Sequence, residues 1–270
     1  MRFRYVTSLC SIALGLAVAL APGLTAQAPA TDWPNLQKYA KANAELAPPA
    51  AGEQRVVFMG NSITEVWAKS FDEQFPGKPY IGRGISGQTT PQMLVRFRAD
   101  VIKLTPKVVV ILAGTNDIAG NTGPSTLEMI MDNLISMAQL AKANGIKVIL
   151  CSVLPAFDYP WKPGVQPAEK IVALNKLIKA YAAKDSSMIY LDFFPAMADE
   201  KNGMKAEYTT DGVHPNEAGY NVMEPLTEIA ISKAFGGTNA VAHTTHTTHA
   251  IHSTHPVHKT TAKHVVHKKK

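Results

Sequence analysis

Short runs of consecutive apolar residues alternate along this chain with stretches in which apolar positions recur every three or four residues. Arg55 to Met59, Val108 to Ala113, Ile146 to Leu154 and Met188 to Asp192 are runs of the first kind, and Tyr80 to Gly82 is a shorter one. Continuous apolar runs of this length are the mark of parallel strands covered on both faces. The stretches between them read as helices. After a helical preface around Leu36 to Leu46, one face carries Leu94, Phe97, Val101 and Leu104, with Thr90-Pro91 as N-cap and first-turn pair. A second carries Leu127, Ile130, Leu134, Met137 and Ala141, opened by a capping-box spacing of Ser125 and Glu128 and ended by Gly145. Ile171, Leu174, Leu177, Ile178 and Tyr181 form a third, and a last helix starts near Pro215-Asn216 with Pro225 expected to kink it. Strands alternating with helices predict an α/β fold. The expected architecture is a three-layer α/β/α sandwich on a central, mostly parallel five-stranded sheet with right-handed crossovers.

The two ends do not follow this rhythm. Arg2 and Arg4, then the apolar stretch Leu9 to Leu20, then Pro22, Gly23 and small residues predict a secretory signal over residues 1–26, cleaved after Ala26. At the other end, residues 236–270 are low in complexity. His243, His246, His249, His252, His255 and His258 recur every third residue, and His264 and His267 repeat the spacing before three terminal lysines. With no large apolar periodicity, this tail cannot repay its ordering entropy and is expected to be disordered. Two readings of it stay open: capture of a divalent metal by neutral imidazoles, or contact with an anionic cell surface. The folded domain is thus expected over residues 27–235, exported to the periplasm or beyond the cell.

Charge and cysteine change this picture in two places. The chain of 270 residues has a net charge of +6, from 27 basic and 21 acidic residues. Two of the basic residues lie in the signal and five in the tail, which leaves 20 against all 21 acids in the body. A nucleic-acid partner inferred from overall basicity is therefore excluded for the domain. No internal apolar run is long enough for a bilayer span. Once Cys10 leaves with the signal, Cys151 stands alone, so no internal disulfide supports the exported fold.

Sites in such sheets gather just beyond the carboxyl ends of strands. Gly60-Asn61-Ser62-Ile63-Thr64 follows the first strand and sets a serine on a strand-to-helix turn, where backbone N–H groups favour a forming negative charge. Gly84-Ile85-Ser86-Gly87-Gln88-Thr89-Thr90 follows the second, and Gly114-Thr115-Asn116-Asp117 the third. Each has a plainer reading by itself: Ser62 as an N-cap, the second loop as a turn, Asn116 or Asp117 as a loop cap. The fourth segment, Asp211-Gly212-Val213-His214-Pro215, decides between them. His214 is the only histidine between residues 27 and 235, and a carboxylate three residues earlier can hold its Nδ1 side. Nε2 is then free to take a proton from a serine, so Ser62, His214 and Asp211 can fill the three roles of a nucleophilic triad. A G-x-S-x-G elbow is absent, since Thr64 replaces the second glycine, and one histidine is too few for a metal hydrolase.

From about Arg55 to Ile231, these four ordered blocks resemble the SGNH hydrolases, also called GDSL-type esterases and lipases. The resemblance implies a flavodoxin-like fold and ester hydrolysis through an acyl-enzyme, with no metal or organic cofactor. It implies Ser62 as nucleophile, Asp211 and His214 as its partners, and an oxyanion hole from the N–H groups of Ser62 and Gly87 and the amide of Asn116. The usual aspartate before the serine is Asn61 here, which predicts altered loop hydrogen bonding rather than lost activity. The polar, glycine-rich loops after the first three strands point to short acyl esters such as acetyl groups on carbohydrate. Aromatics at Phe157, Tyr159 and Trp161 suit stacking on a sugar as well as lining a tunnel. The alternatives are a lysophospholipase or thioesterase of the same family, or a secreted metal-binding protein that works through its tail.

Overall fold

A computed structural model of the chain describes residues 31–237. All five apolar runs form strands: β1 (Val56–Gly60), β2 (Tyr80–Gly84), β3 (Val108–Leu112), β4 (Lys147–Cys151) and β5 (Met188–Leu191). They make one sheet in the order β2-β1-β3-β4-β5, and every pairing is parallel. Among the described residues the α-helices are α1 (Ala40–Glu45), α2 (Ser62–Trp67), α3 (Phe71–Gln74), α4 (Thr90–Asp100), α5 (Thr115–Ile118), α6 (Leu127–Ala143), α7 (Ala168–Ala182), α8 (Phe194–Met197) and α9 (Glu217–Ala234).

The unbroken hydrophobicity of β1 and β3 follows from their place inside the sheet, where every residue of both is buried. Alternate side chains go to opposite layers. Val57, Met59, Val109, Ile111, Val148 and Leu150 pack under α4, α6 and α7. Val56, Phe58, Val110, Ile149 and Cys151 pack under α2 and α9, where Trp67 stacks on Tyr220 with ring centroids 5.6 Å apart. Cys151, the free cysteine of the described residues, is one of these core side chains, and burial pushes its thiol well above the usual range. From β1 the chain moves outward to β2, then returns across β1 to β3. The crevice at the carboxyl ends of β1 and β3 is the switch point where sheets of this order place their sites.

Several boundaries differ from expectation for identifiable reasons. The run Ile146 to Leu154 yields a strand only over Lys147–Cys151, because side chains take over its later backbone groups. Asn175 bonds both the N–H (2.7 Å) and the carbonyl (3.0 Å) of Val153. Ser152 Oγ meanwhile accepts the N–H groups of Phe193 and Phe194. The N-cap of α4 is Thr89 rather than Thr90, in a capping box with Gln92. That of α6 is Thr126 rather than Ser125, its hydroxyl accepting from Met129. Asp32 binds the N–H groups of Leu36 and Gln37, so the preface begins as turns and becomes helical only at Ala40. Helix α9 runs unbroken through Pro225. The expected signal, residues 1–26, and the histidines of the tail lie outside the described residues.

Candidate active site

Ser62 is the first residue of α2, two residues beyond the end of β1. Asn61 caps that helix, its Oδ1 accepting the Ile63 N–H at 3.0 Å. An asparagine oxygen serves an N-cap as well as an aspartate oxygen does, so the departure at position 61 leaves the turn intact. The turn also depends on a close approach from β2. A Cβ on Gly84 would lie 2.2 Å from the Glu65 nitrogen and 2.6 Å from the Asn61 carbonyl oxygen.

His214 reaches Ser62 from the loop before α9, 152 positions later in the chain. Ser62 Oγ lies 2.9 Å from His214 Nε2, and His214 Nδ1 lies 2.6 Å from Asp211 Oδ2. The loop is preorganised by the same carboxylate, since Asp211 Oδ1 accepts the N–H groups of Val213 (2.9 Å) and His214 (2.8 Å). Thr209 closes it from the other side by donating to the His214 carbonyl at 2.8 Å. Partial burial opposes ionisation of Asp211. The N–H and ring of His214 and the N–H of Val213 outweigh that effect and hold the carboxyl below its ordinary range. An ionised Asp211 keeps the proton on Nδ1, which leaves a lone pair on Nε2 toward the serine hydroxyl.

The second and third blocks meet beside this pair. Gly87 has φ +76°, a left-handed conformation natural to glycine. Neither its N–H nor that of Ser62 donates to another described residue. Asn116, nearly fully buried, gives one amide hydrogen to the Gln88 carbonyl at 2.9 Å and keeps the other. Its neighbour Asp117 accepts both the N–H and the hydroxyl of Thr90, the latter at 2.6 Å, and so pins the start of α4 to the end of β3. Burial pushes the Asp117 carboxyl up to about 6 against those hydrogen bonds.

Two supports of the Gly84–Thr90 loop went unrecognised in the sequence. The first is Arg96, fully buried on α4. It donates to Gln88 Oε1 (2.6 Å), to the carbonyls of Arg83 (2.9 Å) and Gly60 (2.9 Å), and to Asp100 (3.0 Å). One guanidinium therefore ties the ends of β1 and β2 to the loop. The pairing of Arg96 with Asp100 four residues on, on the face that carries Met93 and Phe97, was the available signal. The second is the segment before α1. Gln88 and Gln92 donate to the carbonyls of Pro34 and Trp33, both at 2.7 Å, and Tyr39 donates to the Gly84 carbonyl. Lys38 pairs with Glu65, which also accepts the N–H and hydroxyl of Ser86. Nothing in the periodicity of that segment points to the loop.

On the His214 side lies the loop after β4. Tyr159 is 1% exposed, so it is a core residue that neither stacks openly on a sugar nor lines a tunnel; its hydroxyl bonds Thr115 at 2.9 Å. Trp161 and Phe157 are open, at 43% and 55%. The loop also walls a cleft of about 310 Å³ bordered by Phe157, Pro163, Met204 and Asp211. Among the described residues, no three His, Cys, Asp or Glu side chains are grouped to hold a metal ion. None of the helices there is long and apolar enough to cross a membrane. The tail histidines His243 to His258, named above as metal ligands, lie outside the described residues.

Comparison with known proteins places this geometry in context. Residues 58–222 match the GDSL-like Lipase/Acylhydrolase family. A GDSL-like lipase from Bacteroides thetaiotaomicron shares 50% identity and superposes with a TM-score of 0.72, over 74% of this chain and 98% of the other. Esterase TesA of Pseudomonas aeruginosa is 28% identical over 178 residues, covering 61% of this chain and 81% of TesA. Acetylxylan esterase of Xylanibacter ruminicola is 27% identical over 214 residues, covering 66% of this chain but only 43% of the other.

Proposed function

The chain belongs to the GDSL-like lipase/acylhydrolase family and is a carboxylic ester hydrolase; we propose that Ser62, His214 and Asp211 perform its chemistry. The observation that carries the proposal is the continuous contact from Ser62 Oγ through the imidazole to Asp211. Ser62 Oγ attacks the ester carbonyl as its proton passes to His214 Nε2. The carbonyl oxygen becomes an oxyanion, and Asp211 stabilises the imidazolium. Collapse breaks the bond to the leaving alcohol, which takes the proton from Nε2 and leaves an acyl-Ser62. Water attacks this ester through the same base, releasing the acid and restoring the serine. The oxyanion is received by the N–H groups of Ser62 and Gly87 and the free amide hydrogen of Asn116, already fixed before reaction begins. The steps require no metal or organic cofactor.

The substrates are short acyl esters, acetyl above all, carried by a carbohydrate. Support comes from the name of the Xylanibacter relative and from the polar loops after the first three strands, which offer no extended apolar wall for a long chain. The domain spans 27–235, is exported by the 1–26 signal, and ends in a tail that takes a divalent metal or an anionic surface. Comparing kcat/KM for acetyl, butyryl, octanoyl and palmitoyl esters of one alcohol tests the acyl preference. A fall with chain length is expected, and a steady rise would replace this reading with a lipase.

A further inference from the structure

His214 Nε2 must hand its proton to the departing alcohol, so the alcohol half of the ester lies against whatever borders the imidazole. That neighbour is Trp161, whose ring centroid is 6.0 Å from that of His214 with the planes 44° apart. Trp161 is open to solvent and yet firmly held. Tyr159 stacks beneath it at 4.9 Å and 25°, and is itself tied to Thr115, one residue before Asn116. The indole Nε1 donates to Asn121 Oδ1 at 3.2 Å, while Asn121 Nδ2 donates to the Gly87 carbonyl at 3.1 Å. The Tyr159–Lys162 turn that presents Trp161 is closed by the Lys162 N–H on the Tyr159 carbonyl at 3.0 Å. An exposed aromatic is usually free to choose rotamers; this one has its plane fixed from below and from its edge.

We infer that Trp161 forms the leaving-group subsite, its open face receiving the ring of a pyranose whose acetylated hydroxyl is the leaving alcohol. The inference rests on Ser62 and His214 acting as proposed above. The chemistry around the indole selects the ring. A flat, fixed aromatic face complements the C–H face of a pyranose, while the ring's hydroxyls point outward to polar surroundings. Those surroundings are present in Asn121, Lys162 and Asp211. The link through Asn121 to Gly87 also means that the alcohol subsite and the loop carrying the oxyanion donor share one hydrogen-bonded support.

The test uses the mature chain with two acetate esters, a fully acetylated methyl xylopyranoside and ethyl acetate, and the variants Trp161→Ala and Trp161→Phe. Wild type is expected to favour the xyloside. In Trp161→Ala, kcat/KM for the xyloside should fall about tenfold or more, as for a lost stacking partner. The value for ethyl acetate should change less than about threefold. Trp161→Phe, which retains a face, should recover most of the xyloside rate. An equal loss on both esters would overturn the inference, since Trp161 would then be supporting the reacting groups themselves. An unchanged ratio in Trp161→Ala, with wild type still favouring the xyloside, would overturn the subsite and leave the carbohydrate reading standing. A wild type without preference for the xyloside would overturn both.

Discussion

The loops Gly84–Thr90 and Leu154–Val165 border the same serine–histidine pair and are held in opposite ways. The first is bonded from behind by Arg96, from one flank by Asn116 and Asp117, and from the other by the carbonyls of Trp33 and Pro34. The second is anchored by the buried Tyr159 but presents Phe157 and Trp161 to solvent beside an open cleft. On the roles proposed above, the difference follows from what each must do. Oxyanion donors are effective only if they need not reorganise as charge develops, whereas a surface that receives a varied alcohol needs a few fixed features and free space. Stability and catalytic geometry are thus concentrated on the Gly87 side, and selectivity on the Trp161 side.

The largest effects should come from the groups between the two loops. Ser62→Ala and His214→Ala are each expected to lower kcat by about 10⁴-fold or more, and the double variant scarcely further, because nucleophile and base act as a unit. Substantial activity in His214→Ala would remove it as the base. On the Gly87 side, Asn116→Ala should cost about 10²–10³-fold in kcat with KM little changed.

The two loops separate more sharply under stability measurements. Arg96→Met leaves Asp100 buried without its ionic partner and strips bonds from three carbonyl groups. Denaturant titration should show a loss of about 3–5 kcal/mol. Phe157→Ala, on the open side, should cost less than about 1 kcal/mol. Equal losses would erase the distinction between the loops.

Those contrasts also explain what could be read from the sequence. Strands β1, β3 and β4 were legible because burial on both faces writes a continuous apolar run. The blocks around Ser62, Gly87, Asn116 and His214 were legible because each follows a strand or opens a helix. Arg96 was not, since a charged residue is assigned to solvent unless its partners are known, and two of those partners, the Arg83 and Gly60 carbonyls, are backbone groups that carry no sequence signal. The role of Gln88 and Gln92 in holding the Trp33–Pro34 segment is hidden for the same reason. The burial of Tyr159 was not legible because its hydroxyl finds a buried partner in Thr115, which periodicity cannot show. The cap of α6 shifted by a single residue because Ser125 and Thr126 are both competent and only the chain's path chooses.

Asp117 gives a smaller, pH-dependent effect. Its carboxyl is raised to about 6 in the folded protein from 3.8, so between those values the native state holds more protons than the unfolded chain. Stability from this group is therefore fully present below about pH 4 and declines as pH rises through 6. Relative to Asp117→Asn, wild type should lose up to about 3 kcal/mol between pH 4 and pH 6.5. A difference that is flat across this range would show that the group does not titrate there. The smallest effect is expected from truncation after Phe235, which should leave esterase kinetics unchanged while abolishing binding of Ni²⁺ or Zn²⁺ by the full chain. Equal metal uptake by both forms would end the capture reading of the tail, and lost activity would mean that the tail reaches the site.

The central claim, that Ser62 carries the acyl group, is tested most directly by trapping. The mature chain is treated with a fluorophosphonate, digested and read by mass spectrometry. One covalent adduct is expected, on the peptide containing Ser62, with esterase activity lost in proportion to labelling and no labelling in Ser62→Ala. Full labelling of a different residue, or ester hydrolysis that persists with Ser62 fully modified, would contradict the account.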